Sequence, residues 1–243
     1  MNTNEYVNKL NVIESTYHSA DMPDMFIEEL AQEYTLQWLL PKLASKQRIL
    51  ELGYGDGVIN KGIQGAGLQV NVIEGSPQVI QRAKQEFPDI DIEESLFENY
   101  QPEAAYDCVL AMHVLEHVDD PISLLSKMRD WVTPGGDIIL IAPNMCSLHR
   151  QLAVEMGLQE QLDDLSARDL VVGHQRVYSH STLRSDVEAA GAIVVEETGF
   201  FLKSLPNAMM LEYSQDLLRA MNSISTKLPP ELLANIGMVI RFA

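Results

Sequence analysis

Residues 48–57 read Arg-Ile-Leu-Glu-Leu-Gly-Tyr-Gly-Asp-Gly, a short apolar run that stops on glycine at every second position. Glycines at 53, 55 and 57 give a turn access to positive φ and leave bare backbone for a ligand to lie against. Val58, Ile59 and Ile63 then recur at helical spacing. A strand, a tight turn and a helix N-terminus in that order aim unpaired N–H groups at whatever occupies the turn.

The alternation continues along the chain. Further strands are expected at 69–74, 90–93, 107–111 and 137–142, the last entered through Pro134-Gly135-Gly136. Ser76-Pro77 and Asp120-Pro121 each open a helix between them, and Pro88 stops the first. Upstream, Phe26, Leu30, Tyr34 and Trp38 recur every fourth residue and predict an amphipathic helix over 21–43. Downstream, Ser181 is expected to cap a helix carrying Leu183, Val187 and Ala190 and ending at Gly191, with β-like runs at 192–196 and 236–242. Right-handed crossovers turn such a pattern into an α/β fold with a doubly wound, mostly parallel sheet, which binds its ligand beyond the carboxyl ends of the strands. The alternation lapses over 145–173, too long for an ordinary connection, and that stretch is read as an inserted lid.

Charge narrows the ligand. Glu74 ends the second expected strand, where a carboxylate can accept both hydroxyl protons of a ribose. A dinucleotide would bring its pyrophosphate to the glycine turn, and its usual fingerprint is G-x-G-x-x-G. Here the spacing is G-x-G-x-G, and Glu51 and Asp56 stand beside it. Carboxylates at that position repel a pyrophosphate and attract an ammonium or sulfonium. The ligand is therefore expected to carry both a nucleoside and a positive charge.

The segments Glu51-Leu-Gly-Tyr-Gly-Asp-Gly57, Glu74, Tyr106-Asp-Cys-Val-Leu-Ala-Met-His-Val-Leu-Glu-His117 and Pro134-Gly-Gly136 follow one another as the motifs of class I S-adenosylmethionine-dependent methyltransferases do. The sequence resembles that family from about residue 48 to 142, and more loosely to 242. The resemblance implies a seven-stranded Rossmann-like methyltransferase fold. It would have a helical cap over 1–44, a cofactor-binding core over 45–144 and 174–243, and the lid over 145–173. It also implies S-adenosylmethionine as cofactor, with S-adenosylhomocysteine as its product. The methionine end would lie at Glu51, Gly53, Tyr54, Gly55 and Gly57, and the ribose at Glu74, Gly75 and Ser76. The adenine would lie near Ser95, Leu96 and Phe97, with Ala111 and Met112 as the floor. Many family members carry an Asp where this chain has Ser95.

Methyl transfer needs alignment of nucleophile, methyl and sulfur, and often a base. His113 and His117 follow the fourth strand, and His174 ends the lid where similar enzymes place a Gly-His element over the substrate. Tyr17 stands where such enzymes fold a lid tyrosine over the methyl donor. These four are the candidate catalytic residues. His149, Arg150, Arg176, Tyr178 and Lys203 are the candidate acceptor-binding residues. Arg150, Arg168 and Arg176, clustered about the lid of an acidic chain, either pair with Glu155, Glu160, Asp163, Asp164 or Asp169 or receive a small acidic acceptor methylated on oxygen or nitrogen. Without C-x-x-C or H-E-x-x-H spacing, no metal is expected.

Composition excludes other partners. The sum of 17 Lys and Arg against 35 Asp and Glu is −18, which disfavours nucleic acid and anionic membranes. A polar N-terminus, no apolar run near the ~20 residues of a bilayer span and two cysteines, Cys108 and Cys146, point to the cytoplasm. Two further readings share the glycine turn, a nicotinamide-dependent oxidoreductase and a methyltransferase-like binding protein without activity. Oligomeric state leaves no mark in the sequence.

Overall fold

A computed structural model of the chain describes residues 24–243 together with Val7, Leu10, Asn11 and Val12. Helix α1 spans Met25–Leu43, and strand β1 (Ile49–Leu52) runs through the glycine turn into α2 (Val58–Gly65). Then come β2 (Val70–Glu74), α3 (Pro77–Glu86), β3 (Ile92–Glu94), β4 (Tyr106–Met112), α4 (Pro121–Trp131) and β5 (Val132–Pro143). The lid region carries α5 (Leu148–Glu155) and α6 (Ala167–Val171), followed by α7 (His180–Ala189) and β6 (Ala192–Phe200). Two helices that periodicity did not reveal, α8 (Asn207–Met210) and α9 (Gln215–Ser225), precede β7 (Asn235–Phe242).

The seven strands form one sheet in the order β3-β2-β1-β4-β5-β7-β6. β1 pairs in parallel with β2 and β4, whereas β7 runs antiparallel between β5 and β6. The chain winds outward from β1 to β3 and resumes on the other side at β4, so a crevice opens above the carboxyl ends of β1 and β4. Alternate residues of β1 feed opposite faces. Leu50 and Leu52 meet α4 and α7 through Leu125 and Leu183, while Ile49 meets α1 and α2 through Leu39 and Ile63.

Some local expectations are corrected. Helix α1 turns Ile27, Leu30, Ala31, Thr35, Leu39 and Leu43 inward. Its aromatic stripe, Phe26, Tyr34 and Trp38, is only partly buried and packs in the cluster that holds Phe200, Met210 and Leu218. One helix thus serves two surfaces, the sheet and the 201–234 segment. Helix α7 is capped by Ser179, whose hydroxyl accepts from Thr182 N in a reciprocal capping box, rather than by Ser181. Pro134-Gly135-Gly136 lies within β5, where the register to β4 slips between Tyr106 and Cys108.

Candidate functional site

Above the crevice lies a cavity of about 360 Å³, within the usual size of small-molecule sites. Glu51, Gly53, Tyr54 and Gly55 from the glycine turn line one end, together with Glu74, Ser76, Phe97 and Met112. The glycine turn needs its glycines, since φ is +73° at Gly53, +54° at Gly55 and +78° at Gly57. Both oxygens of Glu74 are oriented by backbone donors, Oε1 by Ser76 N at 2.7 Å and Oε2 by Tyr54 N at 3.1 Å.

Glu51 is 2% exposed and accepts from Asn60 Nδ2 at 2.7 Å. Burial, opposed in part by that amide and reinforced by the charges of Asp56 and Glu74, pushes its carboxyl up to about 8. A carboxylate buried this deeply fits a cationic partner, and the ammonium of the methionine end of S-adenosylmethionine supplies one. On that ground the residues fit this cofactor. The segment ahead of α1 contributes too, because Leu10 lines the cavity and Asn11 accepts from the Ser76 hydroxyl at 2.8 Å.

The same chamber is lined by His113, His117 and His174 and, from the lid and the 201–234 segment, by His149, Arg150 and Lys203. Asp169 holds His174 through Nδ1 at 2.9 Å and Arg150 through Nη2 at 2.6 Å. The His174 ring meets His117 edge-on with centroids 4.8 Å apart. Burial pulls the His117 imidazole down to about 4, with Glu116 opposing only in part. His113, at φ +57°, bonds Glu116 Oε1 through Nδ1 at 3.1 Å; burial works against its charged form, but that hydrogen bond and charge outweigh it and raise its pKa. Lys203 lies 3.8 Å from Glu28, and burial lowers its pKa despite that partner.

Several expected site residues stand elsewhere. Arg176 donates from Nη1 to the carbonyls of Leu115 (2.7 Å) and Val118, so its guanidinium secures the turn after β4 and does not face the cavity. Tyr178 is buried in the main core and donates to Asp186 at 3.1 Å. Arg150 also donates to the Asp164 carbonyl, and Arg168 pairs with Asp24. The arginines proposed to receive an acidic acceptor are thus engaged with the protein. Ser95 turns its hydroxyl to the Leu96 carbonyl, and the Leu96 side chain packs over Gly75, where an added Cβ would lie 3.0 Å from it. Of the residues expected at the adenine, Phe97 and Met112 line the cavity. Ala111 is core, and Gly57 sits behind the turn, against Tyr54. Tyr17 lies outside the described residues.

Sequence reasoning passed over Asn60 and Glu28, which position Glu51 and Lys203, and weighed Asp169 only as an arginine's partner, whereas it also positions His174. Asn60 stands in the first turn of α2, and its polarity on an otherwise apolar face was the available signal.

Comparison with known proteins follows the same line. A family model described as a methyltransferase domain matches residues 24–197. The chain belongs to this methyltransferase domain family, which sets aside the oxidoreductase reading. The mitochondrial ubiquinone biosynthesis O-methyltransferase of Schizosaccharomyces pombe is 27% identical over 120 residues, 46% of this chain and 44% of that protein. The enzyme of that name from Xanthomonas axonopodis pv. citri is 28% identical over 113 residues, 44% of this chain and 47% of its own length. The chain thus spans less than half the length of these relatives. Among solved structures, Burkholderia thailandensis 1,6-didemethyltoxoflavin-N1-methyltransferase, with bound 1,6-didemethyltoxoflavin and S-adenosylhomocysteine, is 16% identical. It superposes with a TM-score of 0.62 over 100% of this chain and 91% of its own. A SAM-dependent methyltransferase from Archaeoglobus fulgidus is 19% identical, with a TM-score of 0.58 over 85% of this chain and 90% of its own. The fold is that of S-adenosylmethionine-dependent methyltransferases. Among the described residues no helix is long and apolar enough to cross a membrane.

Proposed function

We infer that the protein transfers a methyl group from S-adenosylmethionine to an oxygen or nitrogen of a small molecule. The observation that carries this reading is the buried Glu51 carboxyl lining one cavity together with the oriented Glu74, His117 and His174. Glu51 binds the ammonium of the methionine end, Glu74 the ribose hydroxyls, and Phe97 and Met112 flank the adenosine. When bound, the cofactor supplies an electrophilic methyl carbon on a sulfonium.

The remaining work belongs to the chain. The lid at 145–173 and the helical cap ahead of residue 45 enclose the acceptor and exclude water. His149, Lys203 and Glu28 bind its polar groups, and the His117–His174 pair handles the proton that the acceptor loses. The relatives that act in ubiquinone biosynthesis are O-methyltransferases, which favours a hydroxyl acceptor.

Calorimetry with S-adenosylhomocysteine and NAD tests the cofactor, and a methylation assay over a library of small phenols, alcohols and amines tests the reaction. Binding of S-adenosylhomocysteine alone, with methyl transfer to a library member, is expected. Binding of NAD, or cofactor binding with no transfer to any library member, overturns the reading in favour of the oxidoreductase or the inactive scaffold.

A further inference from the structure

Glu116, His117 and His174 each bring one potential ligand atom to a common point, all within 4.8 Å of one another. Glu116 is fully buried; His113 takes Oε1, while Oε2 has no hydrogen-bond partner among the described residues. A buried carboxylate oxygen without a donor is costly unless something positive meets it. On the other side, Asp169 holds Nδ1 of His174 and leaves Nε2 as the ring's available donor atom. A carboxylate behind one imidazole nitrogen while the other ligates is the usual support of a metal-bound histidine. Both histidines line the cavity.

We propose that Glu116, His117 and His174 bind a divalent transition cation of the zinc type, with its remaining coordination position open to the cavity. Two imidazoles and one carboxylate suit zinc and its neighbours rather than calcium or magnesium, and three protein ligands with one open position is the pattern of catalytic rather than structural sites. Ligand distances of about 2.0–2.2 Å set tetrahedral ligand atoms roughly 3.4 Å apart, so the triad draws in by roughly an ångström on binding. Glu116 and His117 come from the turn after β4 and His174 from the end of the lid, so the cation also ties the lid to the sheet. With the cation bound the two imidazoles ligate instead of taking the acceptor's proton, and its chemical role, lowering the pKa of an acceptor hydroxyl beside it, rests on the proposed methyl transfer. Its binding does not.

The test uses the full chain without an affinity tag. After chelator treatment it is titrated with Zn²⁺ against a chromophoric competitor, and separately with Co²⁺, read by visible d–d absorption. One Zn²⁺ per chain and a low-symmetry Co²⁺ spectrum are expected. His117→Ala and His174→Ala should abolish that spectrum and weaken Zn²⁺ by about 100-fold or more, and Asp169→Asn should weaken it by about 10- to 100-fold. S-adenosylhomocysteine affinity of the same variants shows that each is folded. Failure of the wild type to bind Zn²⁺ stoichiometrically, or equal affinity in both histidine variants, overturns the proposal. If S-adenosylhomocysteine binds in that case, the methyltransferase reading stands without the metal; Zn²⁺ binding as described without S-adenosylhomocysteine leaves the metal site and removes the cofactor.

Discussion

Asn60 Nδ2 donates to Glu51 Oε2 at 2.7 Å, and both side chains are shut away from water. One neutral amide offsets only part of the cost of burying a carboxylate, which is why Glu51 resists ionisation up to about 8. The pair is arranged for a cation that arrives with the ligand.

Proton linkage follows from that arrangement. At pH 6.5 free Glu51 is protonated, and pairing with an ammonium ionises it, so S-adenosylhomocysteine binding should release close to one proton. Above about pH 8 the free carboxylate is already charged, so the proton released on binding should fall away toward zero. Calorimetry in buffers of different ionisation enthalpy measures both. A proton count of zero at pH 6.5 contradicts the pairing.

Glu51→Gln separates stability from binding. A carboxyl whose folded pKa is raised from 4.5 to about 8 costs the fold nothing below pH 4.5, a growing amount through that window, and the full penalty above it. The variant should melt higher than wild type at pH 8 and alike at pH 4.5, with a difference of up to about 3 kcal/mol at pH 7. Its S-adenosylhomocysteine affinity should fall on the order of 100-fold through loss of the ion pair.

Arg176 and Lys203 were both expected at the acceptor, and the structure gives them different tasks. Arg176→Ala leaves the buried Leu115 and Val118 carbonyls without their donor, a cost of about 1–3 kcal/mol. It should lower Tm and kcat by loosening the turn that carries Glu116 and His117, with little change in acceptor KM. Lys203→Met removes a cavity cation while Glu28 keeps Asn207 at 2.6 Å, so acceptor KM should rise with a smaller change in Tm.

Two glycines at the ends of α2 should answer oppositely. Gly57 holds φ +78°, and a Cβ there would lie 2.4 Å from the Tyr54 hydroxyl. Gly57→Ala should cost about 1–2 kcal/mol from backbone conformation alone and more from displacing Tyr54. Gly65 ends α2 with nothing within 4 Å of an added Cβ, so Gly65→Ala should stabilise by up to about 1 kcal/mol. Thermal melts of both variants decide it.

The strands and helices from β1 to β5 were legible because their signals are local: glycine and proline punctuation, short continuous apolar runs and a capping serine. The 201–234 segment was not. Its helix α9 carries Leu218, Asn222 and Ser225 inward, a face of mixed polarity that reads as surface until α1 is seen packed against it. A better signal was Ser214, whose hydroxyl accepts from Leu217 N, with Asp216 in the first turn. The aromatic stripe of α1 misled for a related reason, since periodicity marks an apolar face without saying which neighbour covers it.

By itself the sequence determined the order of the strands, the glycine turn and the acids beside it, because each depends on residues a few positions apart. It also settled that a ligand pairing with those acids must be cationic, which follows from charge alone. Tertiary structure decided which polar side chains are spent on the protein and which face the cavity. Arg150 meets Asp169, Arg168 meets Asp24, and Arg176 caps carbonyls some sixty residues upstream, while Glu116 keeps an oxygen without a donor among the described residues. Such pairings follow from how distant segments pack, and the short-range pattern of a chain does not encode them in readable form.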